Sequence, residues 1–199
     1  AAAIARAEGA KQAAILEAEG RRAIVLKGDV ADPAFAEAAV KATLDAFGRL
    51  DVLVPNAAFQ EHVNALEDLT YEHFDRTLKT NLYGYFNMTK AAVPHMKAGG
   101  SIVMTGSVTG LQGNKDLLDY SLTKGGIHAY ARSLGTHLAP RGIRAWREEK
   151  RLDRQFGMLS KNIPLIGGPV NAVRPGGRAA ALRIPAGVLL IGGGVFSFL

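Results

Sequence analysis

The sequence predicts a doubly wound α/β layer, a parallel sheet with helices on both faces, and two observations predict it. Short unbroken apolar runs with β-branched residues alternate with longer stretches whose apolar residues recur at three- and four-residue spacing. Such runs are expected of strands buried on both sides, and strands alternating with helices join through right-handed crossovers into a parallel sheet. In that architecture ligands bind at the carboxyl ends of the strands.

Strands are predicted at 23–27 (AIVLK), 51–54 (DVLV), 101–105 (SIVMT) and 187–191 (GVLLI). Helices are predicted at 31–48, 69–97 and 119–140, where the three- and four-residue spacing holds. Asp32 is placed to cap the first helix with Pro33 just inside it, and Gly48, Gly99 and Gly142 stand where helices should stop. Asn81, in the middle of the second helix, is a poor helix former and needs a reason to be there. The block RGIRAWREEKRLDR, 141–154, interleaves six Arg and Lys with Glu148, Glu149 and Asp153, and reads as a solvated helix face. Trp146 is the block's one aromatic, too little stacking surface for a nucleic-acid site.

The length of 199 residues fits one domain with a real core, and 48% hydrophobic with 21% charged residues is the balance of a globular protein. With no cysteine there is neither a disulfide framework nor a thiolate metal site, so a cytoplasmic location is the default expectation. The five histidines, His62, His73, His95, His128 and His137, have no metal-ligand spacing and read as structural or solvated. The start, AAAIARAEGA, lacks the pattern of a signal peptide, and GVLLIGGGVFSFL is too short and glycine-rich to span a bilayer. The net charge of +6 is dispersed, so neither nucleic acid nor membrane is an expected partner.

The strands at 51–54 and 101–105 deliver Asn56-Ala57-Ala58 and Gly106-Ser107 to one edge of the sheet. Tyr120 and Lys124 open the next helix one turn apart on one face. A tyrosine titrates near about 10 in water, too high for proton transfer at neutral pH, and a cation held close favours the phenolate. A serine hydroxyl nearby can hold a carbonyl or alcohol oxygen against the phenol. The glycines at 125 and 126 are expected to leave that helix face open to something flat.

Asn56-Ala57-Ala58 after a strand, Asn81 in TNLYGYF, Ser107 after the next strand and Tyr120-x-x-x-Lys124 thirteen residues later together resemble the classical short-chain dehydrogenase/reductase family. The resemblance runs from about Arg21 to Arg144 and implies a single Rossmann-type domain over residues 1–199. It implies an oxidoreductase that moves a hydride between NAD or NADP and a small alcohol or ketone, with Tyr120 as general acid/base. By the same resemblance Ser107 orients the substrate oxygen, Lys124 holds the nicotinamide ribose and lowers the tyrosine's pKa, and Asn81 keeps a water in the proton path. Asp29 and Val30 would meet the adenine, Asn56 and Ala57 would pack along the cofactor, and Pro175-Gly176 would close over the nicotinamide. Gln60, Gln112 and Leu117 fall on loops around the reacting carbon. No metal is implied, and a homodimer or homotetramer is expected through the helices at about 71–97 and 119–138.

Two departures from the family pattern stand out. The first strand, its glycine-rich turn and the helix that receives the pyrophosphate are not found at the start. Beyond Arg144, AWREEKRLDRQFGMLSKNIPLIGGP precedes the string Val170 to Gly176 that resembles the family's next strand and loop. Either an insertion follows Arg144 or the sequence is parts of a longer chain, the reading taken here, with joins expected at Ala10/Lys11 and Arg144/Ala145; Gly192-Gly193-Gly194 resembles the family's closing strand and tail. A catalytically inactive cofactor-binding or scaffold protein is the alternative reading.

Overall fold

The computed structural model describes residues 23–148 and 188–191. Its first helix, α1 (Pro33–Phe47), starts as the sequence predicts: the Asp32 carboxylate accepts from the Ala34 N–H at 2.9 Å, and Pro33 fills a position whose N–H has no helical partner. It stops at Gly48, whose φ of +73° is open to glycine and strained for other residues. Gly142, with φ of +68°, likewise ends the turn Ala139–Arg141, whereas Gly99, with φ of +90°, lies three residues beyond Met96, where the second helical stretch has already ended.

Strand β1 (Val52–Pro55) leads through a loop to α2 (Tyr71–Leu78), which Thr70 caps by accepting from the His73 N–H at 3.1 Å. The predicted second helix is continuous but not uniform. Lys79–Tyr83 form a π-turn before α3 (Gly84–Ala92), so the poor helix former Asn81 sits at the wide point, fully buried. Then come β2 (Ser101–Thr105), the short α4 (Thr109–Gln112), the long α5 (Leu118–Leu138), β3 (Arg144–Glu148) and β4 (Val188–Ile191).

The four strands among the described residues are parallel in the order β3-β2-β1-β4. Successive strands β1, β2 and β3 lie side by side with α2–α3 and α4–α5 in the crossovers, the arrangement that parallel pairing requires. Leu53, Ile102 and Met104 point into the helical layer and share one core with Ala36, Val40, Tyr85, Met88, Ile127, Ala131 and Leu138. The alternate strand residues Val52, Val54 and Val103 are only half-buried, so the described helices cover one face of these strands.

Two expectations are corrected. Residues 23–27 form no strand: Ile24, Val25 and Leu26 are 41%, 54% and 41% exposed. A strand exists only through the ladder it shares with a neighbour, and the position beside β1 is held by β4, in register from Val52 with Val188 to Pro55 with Ile191. The basic block is not a helix where it is described. After the turn at Gly142 the chain returns along β2, pairing Ser101 with Arg144 through Thr105 with Glu148, because the open edge of β2 supplies hydrogen bonds that local periodicity does not report. That strand includes Arg144 and Ala145. Ala10/Lys11, Val170 to Gly176 and the triple glycine lie outside the described residues.

Candidate active site

The carboxyl ends of β1 and β2 converge on Thr105. Its hydroxyl donates to Asn56 Oδ1 at 2.7 Å, tying the loop after β1 to the end of β2. Its carbonyl accepts from the Lys124 ammonium at 2.9 Å and from the Tyr85 hydroxyl at 3.2 Å, using both lone pairs. Lys124 is 1% exposed, with its Nζ 5.5 Å from the ring centroids of both Tyr85 and Tyr120. Burial lowers its pKa from the ordinary 10.5 to about 8, since desolvation disfavours the ammonium.

Tyr120 and Lys124 share one face of α5, as their spacing predicts, and Tyr120 meets Ser107 across the turn after β2. Burial pushes the Tyr120 phenol up, and its hydrogen bond to Ser107 draws it partly back. The expectation that Lys124 lowers this phenol is not met in this geometry. The ammonium is directed at the Thr105 carbonyl and lies over the ring, and the cost of desolvating a phenolate dominates. The Ser107 hydroxyl is also within 2.9 Å of the Thr109 hydroxyl and accepts from the Thr109 N–H at 3.2 Å.

Asn81 stands one link away from this group. Its Oδ1 accepts from the Phe59 N–H at 2.7 Å, and its Nδ2 donates to the Phe59 carbonyl at 2.9 Å and to Thr123 Oγ1 at 3.0 Å. Thr123 in turn donates to the Tyr120 carbonyl at 2.8 Å. The π-turn therefore fastens the loop after β1 to the first turn of α5, and Ala57 in that loop is buried. The same junction holds a second clamp: buried Asp119 accepts from Thr77 and lies 3.2 Å from His73 Nε2. The His73 ring meets Phe59 edge-on at 5.4 Å, and the Arg76 guanidinium lies over the Phe59 ring, 4.0 Å from its centroid.

Asp29 and Val30 belong to a different part of the helical layer. The Asp29 carboxylate accepts from the Ala31 N–H at 2.9 Å, and Asn87 Nδ2 holds the turn through the Val30 and Ala31 carbonyls at 3.2 and 3.1 Å. Val30 rests on Gly84, with its Cγ2 at 2.8 Å from where a Cβ would stand. Of the three residues expected on loops around the reacting carbon, Leu117 is buried just before α5, Gln60 is exposed on the loop after β1, and Gln112 is exposed at the end of α4 rather than on a loop. Their two loops are joined by the Val63 N–H donating to the Asp116 carbonyl at 2.9 Å. Pro175 and Gly176 lie outside the described residues.

The open helix face expected at the glycines is occupied. A Cβ on Gly125 would meet the Gly110 carbonyl at 3.2 Å, and one on Gly126 would meet Leu82 at 3.2 Å. These glycines let α4 and the π-turn approach α5, which a flat ligand would otherwise do. Tyr85 and His128 are the residues that sequence reasoning missed. His128 has a visible signal, since it falls four residues after Lys124 on the face that carries Tyr120, and its Nε2 accepts from the Ser107 N–H at 3.4 Å. Tyr85 follows Asn81 by four residues and has no comparable signal.

Among the described residues no helix is long and apolar enough to cross a membrane, and no group of three or more His, Asp or Glu could hold a metal ion. A family model described as enoyl-(acyl carrier protein) reductase matches residues 1–146. The uncharacterized oxidoreductase YhxC of Bacillus subtilis is 43% identical over 178 residues, 85% of this chain and 60% of the relative. A short chain dehydrogenase from Burkholderia cenocepacia, solved in complex with NADP, is 36% identical with a TM-score of 0.65 over 68% of this chain and 55% of that one. The 3-ketoacyl-(acyl-carrier-protein) reductase of Brucella melitensis, solved with NADH, is 30% identical with a TM-score of 0.57 over 60% of this chain and 52% of that one. The chain thus spans little more than half the length of these relatives.

Proposed function

The chain belongs to the short-chain dehydrogenase/reductase family, whose fold is of Rossmann type, and on that premise we propose that it transfers a hydride between NAD or NADP and a small alcohol or ketone. The observation that carries the proposal is the meeting of Ser107, Tyr120 and Lys124 beyond the carboxyl end of β2. Relatives solved with NADP and with NADH support a nicotinamide dinucleotide of either kind. The nicotinamide, when bound, supplies or accepts the hydride.

The donor set fits such a group. Lys124 presents a buried ammonium that donates to a main-chain carbonyl, leaving two further protons for ribose hydroxyls. Asn56 and Ala57 stand on the loop beside it, and Asp29 and Val30 are proposed to meet the adenine, with Pro175 and Gly176 over the nicotinamide.

In carbonyl reduction Tyr120 gives its phenolic proton to the substrate oxygen, while the Ser107 hydroxyl holds that oxygen in place. The raised phenol pKa keeps Tyr120 protonated at neutral pH, the form a proton donor needs. The phenolate left behind lies in a buried site where an unpaired charge is costly, and its hydrogen bond with the Ser107 hydroxyl offsets part of that cost. Asn81 is proposed to keep the proton route open through the π-turn, besides holding the loop after β1.

Tyr120→Phe removes the proton and little else. Its kcat, followed as NAD(P)H absorbance over a panel of ketones and alcohols, is expected to fall by about 10²- to 10⁴-fold with nucleotide affinity unchanged. Turnover that survives the substitution would refute the mechanism. Nucleotide binding with no turnover on any substrate of the panel would favour the inactive scaffold.

A further inference from the structure

We infer that His128 is a positioning residue that sets the Ser107 hydroxyl against Tyr120, an inference that rests on the proposed role of Ser107. Ser107 lies in the turn between β2 and α4, where no strand or helix ladder fixes it, yet all of its polar groups are engaged. Its carbonyl accepts from the Gly110 N–H at 3.1 Å, and its hydroxyl is shared among Thr109 and Tyr120. The remaining group, its N–H, donates to His128 Nε2 at 3.4 Å.

His128 comes from the middle of α5 and is 2% exposed. Tyr120, Lys124 and His128 are spaced by four residues, so one face of one helix carries all three. The phenol and the group that fixes the serine main chain are therefore mounted on the same rigid element, and their separation does not depend on how the loops on either side settle. An accepting Nε2 must be unprotonated, which places the imidazole proton on Nδ1. Without the acceptor the half-buried Ser107 N–H loses its partner, and the turn would shift to find another. A shift well under the length of a hydrogen bond at Ser107 would misalign the oxygen that Tyr120 protonates.

The test combines amide hydrogen exchange at Ser107 with steady-state kinetics on the full-length chain, for His128→Leu, His128→Gln, His128→Asn, Ser107→Ala and the double variant Ser107→Ala/His128→Leu. In His128→Leu the Ser107 amide is expected to exchange about tenfold faster and kcat to fall about tenfold, the size of one neutral hydrogen bond, with KM for the nucleotide unchanged. Gln carries an acceptor at the reach of Nε2 and should restore both, whereas the acceptor of Asn stops at the reach of Nδ1 and should not. The double variant should be no slower than Ser107→Ala alone, because a group that acts through the serine has nothing left to position. Unchanged exchange in His128→Leu, or a full further loss on top of Ser107→Ala, would overturn the inference. If Leu prevents folding, the comparison of Gln with Asn decides it, and equal behaviour of those two would equally overturn it. If Ser107→Ala itself leaves kcat unchanged, the proposed role of Ser107 fails, while the exchange data still decide whether His128 fixes the turn.

Discussion

Lys124 shows how a single residue can serve a site at the expense of the fold. The unfolded chain holds its proton up to 10.5, the folded chain only up to about 8, so the folded form binds the proton less tightly. Below about 8 both forms are charged and burial of the ammonium costs stability in full, while between about 8 and 10.5 the folded form loses its proton first and the cost fades with rising pH. The difference corresponds to roughly 3 kcal/mol. Lys124→Met, which keeps the aliphatic length and leaves the Thr105 carbonyl its bond from Tyr85, is therefore expected to abolish turnover while raising stability at pH 7 by about 1–3 kcal/mol, with the gain shrinking towards pH 10. Urea denaturation at the two pH values measures it, and a variant less stable than the parent at pH 7 would show that the ammonium is well accommodated. The identities of Ser107, Tyr120 and Lys124 were legible from their motif and spacing. The state of the lysine was not, because its pKa follows from burial, which depends on elements that only folding brings together.

At the scale of elements, the helices were the most legible part, because their signals are local. Asp32, Pro33 and Gly48 bound α1 as their chemistry requires, and Asn81 marked the place where the second helix widens. The contact between α4 and α5 could not be read that way. A Cβ on Gly110 would stand 2.5 Å from the Lys124 carbonyl carbon and 2.6 Å from the Gly125 nitrogen, both backbone atoms that cannot rotate aside. Gly110→Ala is expected to part α4 from α5, costing about 1–3 kcal/mol in a urea melt and lowering kcat through the displaced Lys124 backbone. Stability equal to the parent would mean that α4 can move away freely. Residues 23–27 show the opposite failure of local reading, an apolar and β-branched run that remains unpaired and half-exposed.

For the whole molecule, we propose a homodimer or homotetramer assembled through the second and third helical stretches. Tyr83 and Phe86 beside the π-turn and Leu122 on α5 are 58%, 48% and 53% exposed, large apolar side chains on those same helices. Sedimentation should give a dimer or tetramer that Phe86→Glu or Leu122→Glu dissociates, and a monomeric parent protein would refute the proposal. Sequence alone determined what depends on near neighbours: the strands at the two loops that carry Asn56 and Ser107, the caps, and the common face of Tyr120 and Lys124. Tertiary structure decided the rest, namely which run pairs with β1, whether the basic block pairs with β2 as a strand, what fills the space against Gly125, and which histidine meets Ser107. The physical reason is that periodicity and capping are settled within a few residues of chain. Strand pairing, desolvation and the partner of a buried N–H are settled by groups that only folding brings together.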